Sequence, residues 1–171
     1  MPYRTLIVDD EPLARMRMRK LLEPYVDLIN VVGEANCGDQ AVKQIQDLQP
    51  DLVFLDIRMP DMTGFDVLKA VGDDAAPVVV FTTAYDEFAL QAFQEDSVDY
   101  LLKPVEEDRL RSTIDKLRRL ADAFSGASAP RDEILNSFRK LIGKKDSYLQ
   151  RLQVKIGDRT LLVPVDSIYR F

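Results

Sequence analysis

A doubly wound α/β domain, five parallel strands covered by helices on both faces, is the fold this sequence predicts. Three observations predict it. Five short apolar runs recur, "TLIV" (5–8), "INVVGEA" (29–35), "LVFL" (52–55), "VVVF" (78–81) and "DYLL" (99–102), and each is followed by a helix-like segment. The runs do not alternate apolar with polar, as strands buried between two helical layers need not. A chain of 171 residues that is 46% hydrophobic also holds enough apolar side chains for one well-buried core and a smaller appendage.

Each element has its own local warrant. After the first run, Pro12 suits the first position of a helix, and Ala14, Met18, Leu21 and Tyr25 recur along one helical face. Gly38 and Asp39 stand where the second helix begins, with Ala41, Ile45 and Leu48 as its apolar face. A loop built on Met59, Pro60 and Gly64 follows the third run, and Leu110, Ile114, Leu117 and Phe124 mark the helix after the fifth. The small-residue stretch "SGASAP" then reads as a linker. Beyond it, "RDEILNSFRKLIGKK" sets Ile134, Leu135, Phe138, Leu141 and Ile142 on one helical face, with Gly143 placed to end the helix. The final stretch, "LQVKIGDRTLLVPVDSIYRF", reads as a hairpin turned at Gly157-Asp158 and the start of another strand, too little to bury a core of its own. The chain thus divides into a domain at 1–124, a linker with an amphipathic helix at 125–146 and a partial β segment at 147–171.

Composition narrows the chemistry. No apolar run approaches membrane-spanning length, and "MPYR" leads straight into a strand without the order of a signal peptide, so a soluble cytoplasmic protein with no membrane partner is expected. A lone cysteine, Cys37, makes no internal disulfide and reads as an inert small residue or a redox sensor. Histidine is absent, which excludes zinc-histidine sites, Ser-His triads and phosphohistidine chemistry on this chain. The net charge of −6 is uneven: residues 131–171 hold nine Lys/Arg against five Asp/Glu, leaving fourteen against twenty-four in residues 1–130. An acidic domain is joined to a segment able to approach a polyanion.

A parallel sheet covered on both sides carries its functional groups at the carboxyl ends of its strands. Asp9 and Asp10 end the first run, Asp56 the third, Thr82 and Thr83 the fourth and Lys103 the fifth. Three carboxylates brought together repel unless a cation sits among them, and an all-oxygen set suits Mg²⁺ or Mn²⁺. Lysine supplies a compact positive charge and threonine a hydroxyl donor, which a phosphoryl group requires. Taken singly, "VDDEP" is an acidic turn before a helix, Thr83 and Lys103 are surface groups and Tyr100 is packing. Their conjunction at one sheet edge reads instead as a site for phosphoryl transfer to a carboxylate.

The motifs "VDDE", "FLDIRMPDMTG", "TTAY" and "YLLKP" give residues 1–124 a resemblance to the receiver domain of two-component response regulators, a flavodoxin-like (βα)5 fold. The resemblance implies phosphorylation on Asp56 by a sensor histidine kinase. It implies Mg²⁺ (or Mn²⁺) held by Asp10, Asp56 and the backbone carbonyl of Arg58, with Asp9 acting partly through water. Thr83 and Ala84 match the switch hydroxyl and its small neighbour, Tyr100 the rotating aromatic and Lys103 the phosphate-binding lysine. The Lys103-Pro104 bond is expected to be cis. Arg58 and Tyr85 fall where the family tunes the lifetime of its phosphoryl group, and Arg58 is also placed to pair with the phosphoryl group or with Asp61.

The end of the chain, "VKIGDRTLLVPVDSIYRF", together with "TTAYDEFALQAF" and "DYLLKP", resembles response regulators with a LytTR-type DNA-binding output. That resemblance implies transcriptional control through a β domain of which only the beginning is present, and a natural chain that continues past Phe171. It also implies a homodimer when phosphorylated, formed through the helix bearing Phe88, Leu90 and Phe93, the fifth strand and the helix after it. The stripe at Ile134, Phe138 and Leu141 is a rival dimer element. A receiver is not an enzyme acting on a separate substrate: its phosphotransfer and slow dephosphorylation act on itself. A phosphatase with an aspartyl-phosphate intermediate would place an acid two residues after its nucleophile, where Arg58 stands. A stand-alone receiver acting by docking is the alternative.

Overall fold

The computed structural model describes residues 2–72, 77–84 and 97–124, together with the backbone of 151–156 and 159–164. Five strands form one parallel sheet: β1 (Tyr3–Val8), β2 (Ile29–Ala35), β3 (Leu52–Asp56), β4 (Val78–Thr83) and β5 (Asp99–Leu102), in the order β2-β1-β3-β4-β5. The described helices are α1 (Pro12–Leu22), α2 (Gly38–Leu48), α3 (Gly64–Val71) and α4 (Glu107–Phe124). A separate antiparallel pair, β6 (Arg151–Ile156) and β7 (Arg159–Pro164), flanks the predicted hairpin turn. The turn itself, Tyr85, the Phe88–Phe93 segment and the predicted helix at 131–142 lie outside the described residues.

The sheet is covered on both faces, and the side-chain alternation of a strand explains how. Ile7, Phe54, Val80 and Leu101 point to one side, where they meet Met18 and Leu22 of α1 and Leu110, Ile114 and Leu117 of α4. Their neighbours Leu6, Val8, Val53, Leu55, Val79 and Phe81 point to the other, against Ala41 and Ile45 of α2 and Phe65 and Val67 of α3. Each such side chain, fully buried, contributes about 1.5–3 kcal/mol. Because both layers draw on the same strands, neither face is free to be polar, which accounts for the unbroken apolar runs. One irregularity breaks the register: Thr5 pairs with Val31 but Leu6 with Gly33, so Val32 bulges out of the ladder.

Some details differ from the sequence-based expectation. Pro12 and Gly38 begin their helices as predicted, but α1 ends at Leu22 and Tyr25 belongs to a 3-10 turn at Glu23–Tyr25. Pro24 lies in the first turn of that 3-10 segment, where its fixed φ fits but a continuing α-helix would lose a hydrogen bond. Leu22 rather than Leu21 is then the fully buried residue at that end. The fourth strand runs on to Thr83, so both threonines belong to the sheet.

Order β2-β1-β3-β4-β5 places the reversal of strand order between β1 and β3. In open α/β sheets the crevice outside the carboxyl ends at such a point holds the ligand. Asp9 immediately follows β1 and Asp56 closes β3, so the two carboxylates flank that crevice.

Candidate functional site

Asp9, Asp10 and Asp56 each bring a carboxylate oxygen to within 4.8 Å of the others. Asp9 and Asp56 are buried and Asp10 half-buried. The β1–α1 turn is held by the Glu11 amide, which donates to Asp9 Oδ1 at 3.0 Å, and by the Asp9 amide, which donates to the Ala35 carbonyl at 3.1 Å. Lys103 reaches in from the end of β5. Its Nζ lies 2.5 Å from Asp56 Oδ2 and 2.7 Å from Asp9 Oδ2, with Glu11 at 3.5 Å. The lysine is fixed at its root as well, its amide donating to the Thr83 carbonyl at 2.7 Å. The Lys103-Pro104 bond is cis, as expected.

The loop after Asp56 is shaped to keep that carboxylate in place. The Arg58 amide donates to Asp56 Oδ1 at 3.1 Å, and the Gly64 amide closes the loop onto the Ile57 carbonyl at 2.8 Å. A side chain at position 64 would set its Cβ 2.5 Å from the Asp56 carbonyl oxygen, so only glycine allows the close return. Thr63 and Asp66 then form a reciprocal capping box that starts α3. Asp61 accepts from the Gly38 and Asp39 amides at 3.0 and 2.9 Å, tying the loop to the start of α2. Desolvation acts to raise Asp61, but these bonds, together with those from the Asp61 and Met62 amides, prevail and hold it below the ordinary carboxylate range. Asp61 is thus engaged by the start of α2.

The electrostatics follow from burial. Desolvation raises Asp9 and Asp56 above the ordinary value of 3.8, although Lys103 pulls both downward. For Lys103, desolvation acts to lower the pKa, but hydrogen bonds and charge from Asp56 and Asp9 prevail and raise it, so it remains an ammonium through neutral pH. Three acidic side chains thus share the site with one lysine. That excess of negative charge on an all-oxygen donor set fits a hard divalent cation.

The sign of the consequence is definite. A carboxyl whose folded pKa is raised favours folding below its unfolded value and loses that contribution as pH climbs through the raised value. The metal-free protein is therefore strained at neutral pH by Asp9 and Asp56. We predict that Mg²⁺ at a hundredfold excess over its Kd stabilises the domain by about 2.7 kcal/mol, read as an upward shift of Tm. At a fixed Mg²⁺ concentration the shift should shrink on acidification, as Asp9 and Asp56, raised above 3.8, take up protons ahead of an ordinary carboxylate. A Tm indifferent to Mg²⁺ at neutral pH would contradict this.

Of the other predicted residues, Thr83 is buried at the end of β4, Ala84 is exposed beside it, and Tyr100 is buried among Phe65, Phe81 and the second apolar cluster. Tyr85 lies outside the described residues. An open cavity of 370 Å³ borders the site, lined in part by Asp9, Glu11, Leu13, Arg17, Lys103 and Val105. Sequence reasoning missed the arginines of α1. Arg15 donates to the Asp9 carbonyl at 2.6 Å, and Arg17 donates to the Val105 carbonyl at 2.9 and 3.2 Å. It also missed Asp99, whose partners Arg109, Thr113 and Lys116 stand at i, i+4 and i+7 on α4. That spacing was the available signal.

The parallel sheet thus gathers an acidic cluster and a lysine at its switch point. The chain belongs to the response regulator receiver domain family, whose model matches residues 5–115. It is similar to an uncharacterised response regulatory protein of Vibrio vulnificus, 47% identical over 116 residues, covering 68% of this chain and 48% of that one. It is similar, too, to the transcriptional regulatory protein BtsR of Salmonella typhi, 39% identical over 149 residues, 87% of this chain and 62% of BtsR. The chain thus spans less than two thirds of the length of these relatives. Among solved structures, the REC domain of AraT, a response regulator from Geobacillus stearothermophilus, superposes with a TM-score of 0.64 at 31% identity, covering 72% of this chain and 98% of that one. The response regulatory domain of mrkE from Klebsiella pneumoniae gives 0.62 at 31% identity over 72% and 99%. The doubly wound fold read from the sequence is that of this family. Among the described residues, no helix is long and apolar enough to cross a membrane.

Proposed function

We propose that this chain is the phosphorylation-controlled part of a cytoplasmic two-component regulator. It accepts a phosphoryl group on Asp56 from a sensor histidine kinase and controls transcription through a LytTR-type output. The observation that carries the reading is the contact of Lys103 with both Asp56 and Asp9, beside a carboxylate cluster fitted to Mg²⁺. A bound Mg²⁺, held by Asp10, Asp56 and the Arg58 carbonyl, with Asp9 acting partly through water, would offset the charge of the carboxylates and the incoming phosphoryl oxygens.

The chain's own groups do the rest. An Asp56 oxygen attacks phosphorus as the donor's bond to phosphorus breaks, leaving an acyl phosphate. Lys103 exchanges its carboxylate contacts for the phosphoryl oxygens, and the Thr83 hydroxyl donates to another of them. Thr83 reorientation frees space next to Ala84, and Tyr100 responds by changing rotamer. The receiver acts on itself and has no separate substrate. A few new charge-assisted bonds, at about 1.5–3 kcal/mol each, suffice for the ~5.5 kcal/mol that turns a 1:99 equilibrium into 99:1. The phosphorylated form self-associates through β5, α4 and the segment around Phe88 that the sequence predicts to be helical.

Similarity to BtsR over 149 residues, reaching past the receiver, supports a transcriptional output, and the antiparallel β6-β7 pair is compatible with the start of one. Incubation with acetyl phosphate and Mg²⁺ tests the acceptor role, the expected result being one acid-labile phosphoryl group per chain. Sedimentation with beryllofluoride tests the dimer, identical mass with and without it counting against. For the output, gel shifts should show promoter preference only in a protein that continues through a complete β domain. In residues 1–171, Lys144, Lys145, Arg151, Lys155, Arg159 and Arg170 offer screened phosphate contacts alone.

Signal lifetime gives a further prediction. Arg58, two residues after Asp56, is exposed, and our reading is that its bulk, with that of Tyr85 two residues after Thr83 in the sequence, limits the access of hydrolytic water. Arg58→Ala and Tyr85→Ala should each speed loss of the label in an acid-labile phosphate time course. Unchanged decay in both variants would reject the idea.

A further inference from the structure

We propose that Arg15 is a positioning residue for the cation site, restraining the main chain of Asp9 and Asp10 so that their carboxylates stay turned toward Asp56. The inference rests on the reading of the acidic cluster as a Mg²⁺ site. Arg15 stands in the first turn of α1, and its Nη1 donates to the Asp9 carbonyl at 2.6 Å and, over a longer 3.4 Å, toward that of Asp10. Its Nε lies 3.4 Å from Glu34 Oε2 on β2, and the side chain is 16% exposed. Glu34 is itself anchored, by Arg19 at 2.7 Å and through its own carbonyl by Gln44 at 2.7 Å. The guanidinium is therefore held from the side of β2 while it grips the loop.

What Arg15 touches separates its part from that of Lys103. Lys103 binds carboxylate oxygens and so competes with a cation for them. Arg15 binds carbonyl oxygens of the same stretch of chain and leaves the carboxylates to the metal. Mutual repulsion of three carboxylates acts to spread them, and a two-point grip on consecutive carbonyls resists that spreading. Nη1 reaches both carbonyls while Nε faces Glu34, a spread of donors across one planar group that the point charge of lysine lacks.

Charge and geometry predict opposite results, which makes the proposal testable. Removing a positive charge beside a cation site tightens cation binding if charge alone matters. Losing the grip weakens it. Titration calorimetry with MgCl2 should show Arg15→Ala binding about tenfold more weakly than wild type, the scale of lost outer-shell support, with Arg15→Lys in between. Arg19→Ala, which loosens Glu34 but removes no loop contact, should weaken binding less than Arg15→Ala does. Acetyl phosphate labelling adds a second readout: the rate of Arg15→Ala should fall at limiting Mg²⁺ and return to the wild-type rate at saturating Mg²⁺. Equal or tighter Mg²⁺ binding by Arg15→Ala would overturn the proposal, as would equal weakening by Arg19→Ala or a rate defect that saturating Mg²⁺ does not relieve. Wild-type protein without Mg²⁺ binding would instead remove the cation-site reading on which the inference stands.

Discussion

Asp56→Asn is expected to abolish phosphoryl labelling by acetyl phosphate and Mg²⁺ while leaving the domain folded. Asparagine has nearly the volume of aspartate and keeps an oxygen to accept from the Arg58 amide, so the loop that follows need not move. What it lacks is an anionic oxygen to attack phosphorus. Asp9 and Asp10 lie in the same cluster and are the available substitutes, but among the described residues Asp56 alone touches both Lys103 and the Arg58 amide. The same substitution should raise metal-free stability at neutral pH. It deletes a carboxylate whose burial disfavours its charge, and Lys103 retains Asp9 at 2.7 Å. Denaturant unfolding with and without Mg²⁺ checks this second half: the variant should start higher and gain less from the ion. Stoichiometric aspartyl phosphate persisting in the variant, mapped to another residue, would overturn the assignment of the acceptor.

The parts of the site that a sequence displays are those carried by residue type at a strand end. Asp9, Asp10, Asp56, Thr83 and Lys103 were legible because a parallel sheet brings its carboxyl ends together whatever the loops do. The two-sided core was legible for a related reason, since Ile7, Phe54 and Val80 cannot all be apolar beside Leu6, Leu55 and Phe81 unless both faces are covered. Contacts from a side chain to a main-chain carbonyl leave no complementary residue to find. Arg15 on Asp9 and Arg17 on Val105 belong to that kind, and in sequence each is one more charge on an exposed helix. Asp61 shows a neighbouring limit: the amides it binds are at the start of α2, 22 and 23 residues away, and an amide leaves no residue type to search for. Tyr25 shows the limit of periodicity, which continued past the point where Pro24 ended α1.

Asp99→Ala is expected to cost about 3 kcal/mol, the largest single loss of stability outside the apolar core. Asp99 opens β5 at 2% exposure and ends its side chain among five donors. Its Oδ1 accepts from the Tyr100 amide at 3.0 Å and Arg109 Nη2 at 2.6 Å, and its Oδ2 from Arg109 Nη1 at 3.0 Å, the Thr113 hydroxyl at 2.7 Å and Lys116 Nζ at 2.8 Å. Deleting one side of a buried ion pair typically costs about 3–5 kcal/mol. The lower end applies here, because Arg109 and Lys116 are 42% and 34% exposed and can turn to water. Burial acts to raise the Asp99 pKa, but the bonds from Arg109, Lys116 and Thr113 prevail and lower it. A depressed carboxyl stabilises the fold above its unfolded value, near 3.8, and that contribution disappears as pH falls through the folded value. Wild type should therefore lose stability more steeply than Asp99→Ala on acidification below pH 4, the two curves converging. The network also reaches the site, since Arg109 donates to the Tyr100 carbonyl at 3.0 Å and Lys103 lies three residues on. If the strand is held chiefly by the sheet, Asp99→Ala at low temperature should still accept a phosphoryl group on Asp56. A stability change well under 1 kcal/mol at neutral pH, or parallel acid curves, would show that the five donors contribute nothing net and that β5 is held by Leu101 and its apolar neighbours alone.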